Sequence, residues 1–302
     1  MSGVSGHLGE LAAVGTALCW TCSSVLFTAA GKRVGSLNVN LIRLGLALVL
    51  AAAFNWLARG RAWPTDATVA MWWWLSLSGV VGFVLGDLCL MEGFVVVGTR
   101  LTTLLLSLAP PLTALLGWWF LGERLGGWDW LGMGITLAGI ALVLAEKHGA
   151  SATPHDARSL WLGVLLGVGS AVGQAVGLVL SKRGINGYDA FAATQIRLIA
   201  GTVGFLLLFA IGGRWRSLGA ALREWPALWR LGVGAFFGPF VGVGLALVAV
   251  QRIPTGIAAT LTALVPVFVI PVTLVLHGER IGWRALVGTM VAVAGVAVLC
   301  LK

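Results

Sequence analysis

The sequence predicts an all-α polytopic membrane protein, with ten transmembrane helices arranged as two inverted five-helix repeats. Three observations carry this. Of 302 residues, 59% are hydrophobic and only 10% charged, with a mean hydropathy of +0.97, whereas soluble domains run about 25% charged. The apolar residues form long unbroken runs, each near the ~20 residues that span a bilayer as a helix. The last third of each half reads alike at a constant offset of 156 residues. The composition excludes a cytosolic enzyme, a nucleic-acid binder and a disordered regulator. The net charge of +9 sits in short clusters between apolar runs, which suits loops facing phospholipid rather than nucleic acid.

The first span, 8–29, holds Cys19 and Cys22 in a C-x-x-C spacing, and a mid-span polar-aromatic patch of Trp20, Thr21, Ser23 and Ser24. With no further ligands nearby, the cysteines read as buried thiols rather than a metal or redox site. No removable signal peptide is evident, because no basic segment precedes this span. The second span, 37–58, carries Arg43. The third, 72–97, carries Gly82-xxx-Gly86, which permits close helix approach, followed by Asp87 and Glu92. Asp87 lies ~20 Å along the helix from Trp74, deep in the hydrocarbon, where a carboxylate costs roughly 2.5–3.5 kcal/mol. It is the foremost candidate for binding a cationic substrate or carrying a proton. A hydrogen-bond hub is the plainer alternative, with a Gly-rich backbone, Arg43 or Arg197 as partner. Glu92 belongs either to the same watery path or to the interface.

The fourth span, 101–121, places Thr103 and Ser107 on one face. With Trp20, Ser23, Ser24 and Gln174 they are candidates to orient a substrate in a cavity. For a single hydroxyl, the plainer reading is a bond to its own helix or a neighbour. Pro110-Pro111, and later Pro266, remove helical hydrogen bonds near mid-span and mark candidate hinges; Pro239 and Pro271 are weaker marks of the same kind. A Gly-Glu-Arg turn containing Glu123 precedes the fifth span, 128–146. The sixth, 160–180, contains Ser170 and Gln174; the seventh, 190–212, contains Arg197. The eighth, 226–250, repeats the third with Gly238-xxx-Gly242. The ninth, 256–276, ends before a second Gly-Glu-Arg turn with Glu279, and the tenth is 283–301. Arg43, Arg197, Glu123 and Glu279 read as structural residues. Glu123 and Glu279 are placed to meet a neighbouring Arg or a helix N-terminus.

The offset pairs Pro110 with Pro266, Glu123 with Glu279, Gly132 with Gly288 and Gly139 with Gly295; Arg43 and Arg197 pair at 154. Residues 1–150 and 151–302 are therefore two repeats of one integral membrane unit. Five crossings per repeat force the second copy to enter from the opposite side, and such an inverted pair gives a direct route to alternating access. Asp87 faces Val243 at the paired position and Glu92 faces Val248, so both carboxylates are asymmetric additions to a symmetric frame. Tryptophans flank the linkers as an interfacial belt, with Trp20 the exception. Lys and Arg divide seven against ten between the two faces if the termini are cytoplasmic, so the positive-inside rule leaves orientation open.

The Gly-rich third helix, the S-L-A-P run at Ser107–Pro110, the L-G-E-R turn at Leu121–Arg124 and the G-I-A-L-V-L ending from Gly139 resemble the EamA-type branch of the drug/metabolite transporter superfamily. The resemblance covers nearly the whole chain and occurs twice. It implies ten helices, cytoplasmic termini, export of small metabolites or drugs, and a central cavity lined by helices 1, 3, 4, 6, 8 and 9. The expected partners are a small-molecule substrate and the lipid bilayer, with no nucleic acid, no cofactor and no metal. A monomer and a homodimer both remain open. The expected location is the bacterial inner membrane. A lipid or sugar-lipid flippase is the runner-up. An intramembrane protease fails because Val84-Leu85-Gly86-Asp87 lacks the first Gly of a G-x-G-D motif and Ser76-Leu77-Ser78-Gly79 is not G-x-S-G. A non-transporting subunit would need a docking segment that the short linkers do not supply.

Overall fold

The computed structural model describes residues 7–145, 157–269 and 283–300. Among these residues every regular element is helical, as expected where backbone groups find no water to bond. We label the helices α1, Leu8–Val34; α2, Ser36–Arg59; α3, built of Val69–Gly79, Val80–Gly86 and Asp87–Val96; α4, of Gly98–Leu106 and Ala109–Leu121; α5, Gly127–Ala145; α6, Ala157–Ile185; α7, Ala190–Gly212; α8, of Trp225–Ala235, Phe236–Gly242 and Val243–Arg252; α9, beginning Thr255–Thr262; and α10, Trp283–Cys300. A short helix, Trp215–Ala221, lies between α7 and α8. Eight helices among the described residues are long and apolar enough to cross a membrane; Thr255–Val269 and Leu286–Cys300 are shorter apolar helices. The ninth predicted span ends beyond the described residues, as do Pro271 and Glu279.

Side chains such as Leu57, Trp119 and Ile211 are more than three-quarters exposed, which an aqueous surface would penalise and acyl chains do not. Cys22 is exposed and Cys19 half-buried, so this thiol pair lies less deep than expected. The exposed tryptophans gather at helix ends: Trp56, Trp63, Trp118, Trp119 and Trp128 at one face, Trp161, Trp215, Trp225 and Trp283 at the other. The interior is closed by small residues. Gly139 abuts the backbone of Gly288 and Ala292, and Gly132 abuts Gly295 and Leu299. The register falls on α10 as it rises on α5, so these helices run antiparallel. On α2 and α7, Asn55 Nδ2 donates to Gln195 Oε1 at 2.8 Å, while Leu44 packs at Gly201; this pair is antiparallel too.

Helix breaks recur at the repeat offset. The middle pieces of α3 and α8 are π-helical, Val80–Gly86 and Phe236–Gly242, shifted by 156 positions. Here one face of each helix consists of glycine, which lets α6 approach Gly82 and Gly86, and α1 approach Gly238 and Gly242. Pro239 sits inside the second π segment, where its missing N–H is tolerated by the widened turn. Helix α4 breaks at Ser107–Leu108, and the following piece carries its prolines in the first turn, where an N–H is not needed. Pro110 and Pro111 thus start a new helix rather than bend a continuous one. Pro266 lies in the same position of α9, two residues past the turn at Ala263–Leu264.

Candidate functional site

The π segment of α3 ends at Asp87. An extra residue in a helical turn rotates every later side chain about the axis, and Asp87 comes to face inward between α2 and α6. It is 6% exposed. One carboxylate oxygen, Oδ2, forms an ion pair with the Arg43 guanidinium of α2. The other, Oδ1, accepts from Gln174 Nε2 of α6 at 3.1 Å. Arg197, from α7, reaches the same region: its guanidinium stacks 4.8 Å from the Phe83 ring centroid and borders Gly82. Arg43 stacks likewise on Phe27, at 5.3 Å. The repeat-related arginines thus converge on helix α3, and Asp87 sits within electrostatic reach of both. Because Arg43 already neutralises Asp87, this carboxylate does not stand ready to receive a cationic substrate.

Polar contacts continue toward one face along α3 and α6. Ser78 Oγ donates to the Gly177 carbonyl at 2.6 Å and lies 2.7 Å from Ser181 Oγ. Next on α6, Lys182 Nζ meets Glu123 Oε1 at 2.6 Å and donates to the Ile253 carbonyl at 2.8 Å. Glu123 Oε2 accepts from the backbone N–H and hydroxyl of Thr255 at 2.8 and 2.7 Å, at the N-terminus of α9, where a carboxylate is favoured. Gly122 makes this possible: with φ +67 it ends α4 in a conformation L-residues resist and turns Glu123 back. A Cβ on Gly117 would occupy the seat of the Glu123 carboxylate. Glu123 therefore meets a helix N-terminus and, in place of an arginine, a lysine.

A second polar lock closes the same face. Arg59 Nη2 pairs with Asp66 Oδ2 at 2.5 Å, Tyr188 Oη donates to Asp66 Oδ1 at 2.7 Å, and Arg59 stacks on the Tyr188 ring. Gln195 Nε2 also donates to the Ala62 carbonyl at 2.8 Å. Together these contacts tie residues before 150 to residues after it. The Tyr188 hydroxyl, then the residue's own backbone N–H and the charges of Arg59 and Arg61, hold the Asp66 carboxyl below the usual carboxylate range. Its lock therefore contributes above that range and is lost as pH falls through the lowered value. We expect the protection factors of amides in the 60–68 loop, taken from exchange rates corrected for their intrinsic pH dependence, to be flat from about pH 5 to 8 and to fall below about pH 4. Asp66→Asn should remove the acid step; an unchanged step in that variant would contradict the assignment.

The other sequence candidates do not join the Asp87 cluster. Glu92 is exposed and enters no ion pair among the described residues. Ser23, Ser24 and Ser107 donate to carbonyls of their own helices, at Trp20, Thr21 and Leu104, so their hydroxyls are engaged within the helix. Thr103 is also hydrogen-bonded or otherwise engaged. Trp20 packs on Gly242 of α8, the place that Gln174 takes on Gly86 of α3; the two share the 154 offset of Arg43 and Arg197. Concavities of about 460 and 340 Å³ open at helix ends, beside Trp118 and Arg124 and beside Trp74 and Arg183, away from Asp87. Lys182, Thr255, Tyr188 and Asp66 were not singled out from sequence. Their one signal is a set of polar residues bordering spans, which every span shows.

A model of the EamA-like transporter family matches residues 7–145 and again 161–301. The chain belongs to the EamA-like transporter family. This makes it an integral membrane protein and a membrane transporter. "Uncharacterized transporter sll0355" of Synechocystis sp. (strain ATCC 27184 / PCC 6803 / Kazusa) is 24% identical over 270 residues, covering 85% of this chain and 78% of its own length. A solved crystal structure 19% identical to this chain has a TM-score of 0.75, with 97% of this chain and 96% of its own covered; that likeness concerns the fold. In this EamA-like transporter the family match falls twice, once on each half.

Proposed function

We propose that the chain is a secondary transporter that exports a small metabolite or drug-like solute by alternating access, from a bacterial inner membrane. In this reading ten helices form two inverted five-helix repeats, residues 1–150 and 151–302. The observation that carries it is the antiparallel packing of repeat-equivalent helices, α2 on α7 and α5 on α10. The recurrence of the π segments and the double family match support it further. The locks at Glu123–Lys182 and Asp66–Tyr188 bridge the halves at one face, so they are the gate that must part for access there. Asp87 exchanges a proton only in the state where helix movement separates it from Arg43, which would couple transport to a pH gradient.

The test compares cells producing the wild type with cells producing Asp87→Asn, and reads the medium by mass spectrometry. Solutes should accumulate outside only with the wild type, and a protonophore should abolish the difference. Equal media would remove Asp87 from the transport site, wild-type media matching those of cells without the protein would remove export as the function, and a difference insensitive to the protonophore would remove the proton role. The gate has its own measurement. With the four native cysteines replaced, a cysteine at Ser181 should react with a water-soluble maleimide at least ~10-fold faster when Glu123→Gln releases the lock, since losing about 1.4 kcal/mol is tenfold in an equilibrium. Unchanged protection would mean the lock is not a gate.

A further inference from the structure

We propose that the Asp87 cluster binds an organic anion, a carboxylate on an apolar body; this deepens the transporter reading and rests on it. Two guanidinium groups, the half-buried Arg43 and the buried Arg197, stand beside a single carboxylate. Both Asp87 oxygens are engaged, one by Arg43 and one by Gln174. Arg197 is 5% exposed, enters no ion pair among the described residues, and has an Nε that is buried with no hydrogen-bond partner. Among the described residues, Asp87 is the charged group whose field it feels. The cluster thus carries one positive charge in excess, inside a hydrocarbon layer where an uncompensated ion is costly.

An arriving carboxylate relieves that cost, and a cation adds to it. The planar fork of arginine suits two parallel bonds to a carboxylate. A further donor is at hand. Ser170 Oγ, one turn before Gln174 on the same side of α6, is buried and without a partner. Its repeat equivalent Thr16 spends its hydroxyl on the carbonyls of Ala12 and Gly242, so the free hydroxyl lies on α6, the helix that brings Gln174 to Asp87. The Phe83 and Phe27 rings beneath the two guanidiniums supply an apolar lining for the body of the solute.

The experiment uses the full-length protein in non-ionic detergent and follows thermal unfolding with three probes of matched shape: phenylacetate, phenylacetamide and phenethylamine. Phenylacetate at saturating concentration should raise Tm by about 3 °C or more, with no rise from the amide or the amine. Arg197→Gln should erase the rise. Should that variant fail to fold, Arg197→Lys keeps the charge without the fork and should bind phenylacetate at least ~10-fold more weakly. A rise from phenethylamine alone, a phenylacetate rise that survives in Arg197→Gln, or no rise with any probe would each overturn the proposal. Binding through Arg197 in a protein whose cells export nothing would keep the anion site and remove the transporter reading. Export of cations untouched by Arg197→Gln would do the reverse.

Discussion

Asp87→Asn is expected to lower the unfolding free energy by about 3 kcal/mol, because it leaves the half-buried Arg43 guanidinium without its counter-charge and the buried Arg197 without a nearby carboxylate. The asparagine keeps the volume and an acceptor for Gln174, so the loss reports charge rather than packing. Arg43→Gln should cost less, since Asp87 keeps Gln174 and stays within reach of Arg197. The double variant should lose less than the two singles together, with a coupling of about 2–3 kcal/mol as for contacting charged groups. Denaturant titration of the four proteins in mixed micelles measures the cycle. Additive losses would show that Asp87 and Arg43 do not depend on one another.

Gly139→Leu is expected to cost at least about 3 kcal/mol, the upper end of overpacking. A Cβ at Gly139 would stand 2.6 Å from the Gly288 carbonyl oxygen and 2.7 Å from the Ala292 Cα. Both are backbone, so no rotamer change relieves the clash and α5 must part from α10. Gly295→Leu, at the repeat-equivalent position, should behave alike, because its Cβ would stand 2.8 Å from the Gly132 carbonyl oxygen. Gly134→Leu is the control: nothing lies within 4 Å of its Cβ, and the change should stay within about 0.5 kcal/mol. Equal losses at Gly134 and Gly139 would mean that the α5–α10 interface does not set the cost.

Much of this architecture could be read in one dimension. Helices are obligatory in hydrocarbon, so apolar runs report span positions with little ambiguity, although α1 and α6 extend past their predicted ends to Val34 and Ile185. Asp87 stood out because an ion in an apolar run has to be explained. The Pro110-Pro111 break was legible because proline acts on its own backbone. The engagement of Ser24 and Ser107 with their own helices was the plainer of two readings, and sequence had no means to choose between them.

The sequence by itself determined the membrane class, the family and the two-fold repetition, since these follow from composition and from spacing along the chain. It also determined that the mid-span carboxylate Asp87 has no counterpart in the second half. Only the tertiary structure decided what that carboxylate does. Arg43, Gln174 and Arg197 lie 44, 87 and 110 residues from Asp87 in the chain, and their meeting depends on how glycine faces let α3 approach its neighbours. That meeting converts an isolated negative charge into a cluster with positive charge to spare. Long-range electrostatics of this kind belongs to the packing of helices, because a charge in a low-dielectric interior takes its meaning from whatever stands within a few ångströms of it.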